Sequence, residues 1–488
     1  MVFRFGHKGP RGAMGLGCAC CSAEAQAATA RVNGELSRRG MLACTAASIA
    51  GLGLPNLATA QTTRAPAAAP PATLLTNLRL FDGSSASLRA GVSVLVRGDK
   101  VADIVASALA PPEAARVIDC GGRTLMPGLI DAHWHTMMAP MPLGVLMTAD
   151  VGYIHLAAAA EAERTLMRGF TTVRDLGGPS FALKRAIDGG MIVGPRIYPC
   201  GAMISQTGGH GDFRNRWEVP RAGAEQSRAE VLGAAALADS PDDVRRRTRE
   251  QLMLGATQIK LTAGGGIASD YDPIDVLQFQ PEEIRAAVEA AANWGTYVAT
   301  HVYTANGIRR CVEAGVKCIE HGQLADEDAV RMMADRGVRW CLQPFLREMN
   351  PYVDRMAPDR LAKWESVWAG TDRSYDLAKR RNMPIGWGSD LLFEPDQTAR
   401  QGAWLAVTRR WFTPAQALKM ATSDNAAILA MSGPRNPYDG KLGVIEKDAL
   451  ADMLLVDGDP LSSLDLVADP ERNFRMIMKG GRIHKNTL

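Results

Sequence analysis

Pro127-Gly128-Leu129-Ile130-Asp131-Ala132-His133-Trp134-His135 is the stretch on which the fold turns. An apolar run entered through Pro-Gly reads as a strand, and residues two apart on a strand face the same side. His133 and His135 therefore point one way and Trp134 the other. Asp131 shares the histidines' parity and is expected to support them from one layer deeper. Two imidazoles side by side at a strand end can chelate a metal ion, but a His-x-His pair is also found as two hydrogen-bonded histidines with no metal.

Seven further apolar runs follow: 171–175, 196–201, 257–262, 297–301, 317–320, 338–343 and 385–390. With the first, over 128–135, they make eight predicted strands, most separated by helical text. One helix is predicted over 281–294, with Pro281 in its first turn and Gly295 as a stop, and another over 413–431, opened by Thr413 and Pro414. Eight alternations over 127–432 predict an α/β fold, a (β/α)8 TIM-type barrel. An open doubly wound sheet is the rival, but no Gly-rich dinucleotide fingerprint follows a strand. Residues 203–250 are longer than a usual connection and read as a loop or lid over the barrel mouth. Outside the barrel, 73–126 and 433–488 alternate in short runs with turns between them. They predict a small β-sandwich domain built from both chain ends.

The chain has 488 residues, 47% hydrophobic and 22% charged, which excludes a disordered or collagen-like chain and a disulfide-dense miniprotein. No window of roughly eighteen uncharged apolar residues occurs, so no stable membrane insertion is expected. The net charge of +3 arises in residues 1–60, where Arg4, Lys8, Arg11, Arg31, Arg38 and Arg39 face only Glu24 and Glu35. The remainder is near neutral, and no basic patch argues for nucleic acid. Ser37-Arg38-Arg39-Gly40-Met41-Leu42, a short apolar run and Ala58-Thr59-Ala60 predict a signal peptide over 1–60, of the twin-arginine type, with a buried helix as the alternative. The mature protein is then periplasmic or secreted, and the Ala/Pro-rich 61–72 is a linker. Cys120, Cys200, Cys311, Cys318 and Cys341 show no zinc-ribbon spacing and read as buried filler.

Of eight histidines, four fall at predicted strand ends: His133, His135, His301 and His321. In a barrel those ends converge on one face. Lys260 ends the strand Ala256-Thr257-Gln258-Ile259-Lys260. It is either a snorkelling lysine or, after reaction with carbon dioxide, an anionic carbamate able to bridge two cations. Asp390 closes the last predicted strand, as a metal ligand and proton acceptor or as the N-cap of the next helix.

This constellation resembles the amidohydrolase superfamily across the whole mature chain. Within it, Gly169-Phe170-Thr171-Thr172-Val173-Arg174-Asp175, Gln258-Ile259-Lys260, Thr300-His301-Val302-Tyr303 and Ile319-Glu320-His321-Gly322 are similar to the Xaa-Pro and Xaa-Arg dipeptidases and the ochratoxin-hydrolysing amidohydrolases. The resemblance implies two divalent metal ions, zinc first and manganese or cobalt as alternatives. His133 and His135 would bind one, His301 and His321 the other, with carboxylated Lys260 bridging and Asp390 both ligand and base. A hydroxide between the ions would attack a C–N amide bond in a dipeptide, an N-acyl amino acid or an ochratoxin-like aryl amide. Tyr303, at the parity of His301, is expected to reach the substrate. So is His210, in Gly208-Gly209-His210-Gly211-Asp212, with Arg214, Arg216 and Arg221 as weaker candidates for a carboxylate. The resemblance also implies a homo-oligomer acting on a small-molecule amide. Three other readings remain: a mononuclear deaminase or cyclic amide hydrolase on this fold, a non-catalytic barrel scaffold, and a periplasmic solute-binding protein.

Overall fold

The structure is a computed structural model that describes residues 72–107, 111–112, 115–219 and 225–488. The expected signal peptide, residues 61–71 of the expected linker and Arg221 lie outside the described residues. Five strands come first: β1 (Thr73–Leu80), β2 (Arg89–Arg97), β3 (Lys100–Ala106), β4 (Arg116–Asp119) and β5 (Thr124–Pro127). The middle holds β6 (Leu129–Trp134), β7 (Phe170–Asp175), β8 (Arg196–Pro199), β9 (Met203–Ser205), β10 (Ala235–Leu237), β11 (Ile259–Thr262), β12 (Val298–Thr304), β13 (Cys318–Leu324), β14 (Arg339–Leu342) and β15 (Ile385–Trp387). The chain closes on β16 (Met453–Val456), β17 (Phe474–Lys479) and β18 (Arg482–Asn486).

Strands from both chain ends pair in one eight-stranded sheet, ordered β18-β17-β16-β5-β1-β2-β3 with β4 beside β1. β5 is parallel to β1 and antiparallel to β16. The sequence suggests a sandwich, whereas the hydrogen bonding runs unbroken through a single order. Alternation along these strands buries Leu75, Val94, Val101, Leu125, Met453, Leu455, Met476 and Met478 in an apolar cluster of their own. Gly480 and Gly481, at φ 55° and 70°, supply the two left-handed residues of the β17–β18 hairpin.

The parallel strands of the middle follow one another in chain order. β6, β7 and β8 form one sheet; β9, β11, β12, β13, β14 and β15 form another, with β10 outside β9. Backbone bonds connect the two: Thr257 N–H donates to the Pro199 carbonyl and Asp390 N–H to the His133 carbonyl, each at 2.8 Å. This α/β arrangement is consistent with a TIM-type barrel. The strand predicted over 196–201 is β8, and the chain resumes as β9 beyond Gly201. That residue has φ 76°, and a Cβ there would stand 2.3 Å from Gln251 Oε1. The segment 203–250 is more regular than a loop, since it carries β9, β10 and the helix Pro241–Leu254. Alanine-rich text around β10 has no polar alternation to mark a strand.

Helix Pro281–Asn293 opens on proline behind a Gln280/Glu283 capping box, and left-handed Gly295 follows it. Thr413 accepts the Gln416 N–H as a helix cap, a contact worth about 1 kcal/mol. The helix predicted over 413–431 is interrupted by a π segment, Met420–Asp424, between Pro414–Lys419 and Asn425–Ala430. The residue that follows the wide turn is used structurally. The Asn425 amide donates to the Ile130 and Trp387 carbonyls at 2.7 Å each and accepts the Trp387 N–H at 3.0 Å. It thereby pins the first parallel strand to the last. The five cysteines named above are buried and free. No described helix is long and apolar enough to cross a membrane.

Candidate metal centre

At the C-terminal ends of the parallel strands lies a cavity of about 920 Å³, lined by all six side chains the sequence singles out as ligands: His133, His135, Lys260, His301, His321 and Asp390. The Asp390 carboxylate is their meeting point. Its Oδ1 lies 3.1 Å from His133 Nε2 and 3.2 Å from His135 Nε2, and its Oδ2 lies 3.9 Å from His321 Nε2. Lys260 Nζ is 3.4 Å from His133 Nε2. The rings of His301 and His321 meet edge to face at 4.4 Å, and His301 Nε2 is 3.1 Å from the Gly265 carbonyl.

Backbone conformation aims these groups in a way alternation does not foretell. β15 ends at Trp387, so Asp390 lies beyond the strand it was expected to close, and its φ is 54°. His321 has φ 73° within β13. Left-handed non-glycine residues are costly and persist where the surroundings hold them. Here Asp390 N–H is tied to the His133 carbonyl, and the Trp340 indole donates to the His321 carbonyl at 2.6 Å. Asp131 touches neither ring, contrary to the expected support from below. Its carboxylate accepts the Ser389 hydroxyl at 2.6 Å, the Gln401 amide at 2.8 Å and the backbone N–H groups of His133 and Ser389. It therefore joins β6 to the loop that carries Asp390.

Gly388 allows this closeness, because a Cβ there would stand 2.3 Å from His133 Cβ and 2.7 Å from its backbone nitrogen. Gly388→Ala is expected to cost about 1–3 kcal/mol by forcing the two strands apart. A urea denaturation curve checks it, and an unchanged midpoint refutes it.

Beneath the histidines is a buried ion pair. His133 Nδ1 donates to Glu320 Oε2 at 2.9 Å, and Arg174 Nη2 donates to Glu320 Oε1 at 2.6 Å. Burial favours the neutral acid, but Arg174 and His133 outweigh it and hold the Glu320 carboxyl well below the usual range. A carboxylate on Nδ1 makes that nitrogen the donor and leaves the lone pair on Nε2. That lone pair faces Asp390 Oδ1 at 3.1 Å, an arrangement that repels unless a proton or cation lies between them. Burial also lowers His135 to about 4, so its ring is neutral near pH 7. Nδ1 of His135 and Nδ1 of His321 are buried and have no hydrogen-bond partner. Burial likewise lowers the Lys260 ammonium, against the pull of Glu320 and Asp390. Neutral imidazoles with unused lone pairs, a carboxylate and an amine whose charged form burial disfavours make a donor set that suits divalent cations.

The other predicted residues divide. The Tyr303 ring lies 4.9 Å from that of His301 and 5.0 Å from that of His321, on the cavity wall. His210 also lines the cavity and stacks on His301 at 4.0 Å. Arg216 belongs to the wall, with its guanidinium 5.7 Å from the Tyr271 ring. Arg214 is spent on Asp212, to which its Nε donates at 2.7 Å. Glu320 and Arg174 have no role that the sequence pattern marks. The available signal was a charged residue within a buried strand, Arg174 in β7 and Glu320 in β13.

Comparison with known proteins agrees with this geometry. Residues 124–484 match the Amidohydrolase family, and the chain belongs to it. The ochratoxinase of Aspergillus niger is 31% identical over 413 residues, which is 80% of this chain and 83% of that protein. The crystal structure of a prolidase complexed with N-methylphosphonate-L-proline is similar at 33% identity and a TM-score of 0.78, covering 85% of this chain and 100% of the other. A Xaa-Pro dipeptidase with methionine bound in its active site is similar at 26% identity and a TM-score of 0.72, with the same coverage. Membership and these relatives support metal-dependent amide hydrolysis by this chain.

Proposed function

We propose that the protein hydrolyses the C–N amide bond of a dipeptide, an N-acyl amino acid or an ochratoxin-like aryl amide. His133, His135, His301, His321, Asp390 and a carboxylated Lys260 would hold two divalent cations, zinc first. The observation that carries this reading is the buried Lys260 amine, 3.4 Å from His133 Nε2. As an ammonium it would repel a cation. As a neutral amine it would add to carbon dioxide, lose one proton and become a carbamate anion able to hold cations. When bound, such cations polarise a carbonyl oxygen and lower the pKa of water.

The chain's own groups do the rest. Asp390 takes the proton of the attacking water and passes it to the leaving nitrogen. Tyr303 reaches over the site and donates its hydroxyl to the carbonyl oxygen or to a substrate carboxylate. His210 lies beside the leaving group. A cavity near the upper end of the usual ligand range, walled by Phe213, Phe345, Phe393 and Tyr271 beside Arg216 and Arg360, suits a bulky acyl group joined to an amino acid. Homo-oligomerisation and export to the periplasm or medium belong to the same proposal.

A one-ion reading, deamination or cyclic amide hydrolysis, draws on two details. The ligand atoms of His133, His135 and Asp390 lie within 4.8 Å of one another. His301 Nε2, for its part, is already at hydrogen-bond distance from the Gly265 carbonyl. Metal analysis combined with a screen of dipeptides and N-acyl amino acids separates the two. Two ions per chain and release of a free amino acid are expected; one ion with release of ammonia replaces this proposal with the second reading.

A further inference from the structure

We propose that Asp272 is a positioning residue for His210, fixing the imidazole with its proton on Nδ1 and presenting Nε2 to the cavity. The loop after β11 forms a socket for this ring. Gly266 lies against it so closely that a Cβ would come within 1.9 Å of His210 Nδ1. The ring also stacks on His301 at 4.0 Å, with an interplanar angle of 21°. The His210 backbone N–H is held by Gln278 Oε1 at 3.0 Å. Nδ1 is turned into the loop, 2.7 Å from Ser269 Oγ and 3.6 Å from Asp272 Oδ2.

Asp272 is buried, and no strand-end or spacing rule marks it in the sequence. Its Oδ2 accepts the Gly266 N–H at 2.8 Å and the Gln278 amide at 3.3 Å. Its Oδ1 has no hydrogen bond and lies 3.8 Å from Lys363 Nζ. Lys363, on the helix Pro358–Arg380, also donates to the carbonyls of Ser269 at 2.8 Å and Gly266 at 3.2 Å, so it fastens the loop while balancing the carboxylate.

Polarity follows from the donor inventory. An ionised carboxylate only accepts, and its charge 3.6 Å from Nδ1 favours the tautomer that places a proton on that nitrogen. His210 Nδ1 is then the donor, and Ser269 Oγ at 2.7 Å accepts from it. Nε2 is then the atom offered to a substrate, with a carboxylate behind the ring to stabilise it if it takes up a proton.

The tautomer does not depend on the proposed amide hydrolysis; only the group that Nε2 meets does. The test is 15N NMR of metal-loaded protein labelled at histidine, at a pH where the ring is neutral, with His210 assigned by His210→Gln. The wild type is expected to show Nδ1–H. Asp272→Asn removes that charge and can turn an N–H toward Nδ1, so the Nδ1–H signature should be lost while the His133 signals stay in place. Persistence of Nδ1–H in a folded Asp272→Asn overturns the assignment. So does an Nε2–H tautomer in the wild type, which decides the matter even if the variant fails to fold. If the wild type hydrolyses none of the screened amides, the proposed function fails while this inference still stands or falls on the spectrum.

Discussion

Lys260→Ala is expected to lower turnover by at least about a hundredfold and to leave fewer than two metal ions per chain. Lys260 is 2% exposed, and among the described residues its amine contacts the imidazole of His133 and forms no ion pair, so no acid neutralises it directly. Without a bridging anion, two divalent cations in one cavity repel each other with little solvent to screen them. The truncation also opens space beside His133. A short carboxylic acid such as propionate, supplied at high concentration, should therefore enter Lys260→Ala and restore part of the rate and the second ion. Elemental analysis and initial rates, with and without the acid, read both effects. Two ions and undiminished turnover in Lys260→Ala would remove the carbamate from the proposal.

Glu320→Gln is expected to have the largest effect on stability. The side chains of Glu320 and Arg174 are both fully buried, and breaking such a pair from one side costs about 3–5 kcal/mol, because the partner's charge is left uncompensated. Arg174 would keep the Ala132 carbonyl at 2.6 Å and the Tyr297 hydroxyl at 3.2 Å, which satisfy donors but not charge. Glutamine also ceases to impose Nδ1–H on His133, so metal affinity should fall about 10–100-fold. Adding Arg174→Met to Glu320→Gln removes the stranded charge and should recover part of the stability without recovering metal affinity. Urea denaturation and competition with a chelator measure the two separately. A single variant with wild-type midpoint and wild-type metal retention contradicts the account.

Strand placement was legible because each barrel strand is an apolar run closed by turn residues, and the strand-end histidines were legible because a barrel gathers such ends. What was not legible has physical causes. Parity places Glu320 opposite His321, but the left-handed backbone at His321 breaks that parity and brings both inward. Asp390 reaches the histidines from a positive-φ residue beyond β15, a geometry that no alternation pattern encodes. Asp272 meets His210 across loops distant in sequence, and Asp131 works through backbone amides rather than the ring its parity suggested. The regular structure within 203–250 was hidden by alanine-rich text with no contrast between its faces.

The pairing of β5 with β16 has a bearing on synthesis. β6 begins one residue after β5, and β5 is hydrogen-bonded to a strand that starts only at Met453. A chain emerging from the ribosome has delivered every histidine of the cavity, and Asp390 as well, before it delivers that partner. Until then the root of the first barrel strand is anchored on one side alone, so the pocket takes its final shape only after Met453–Val456 has emerged.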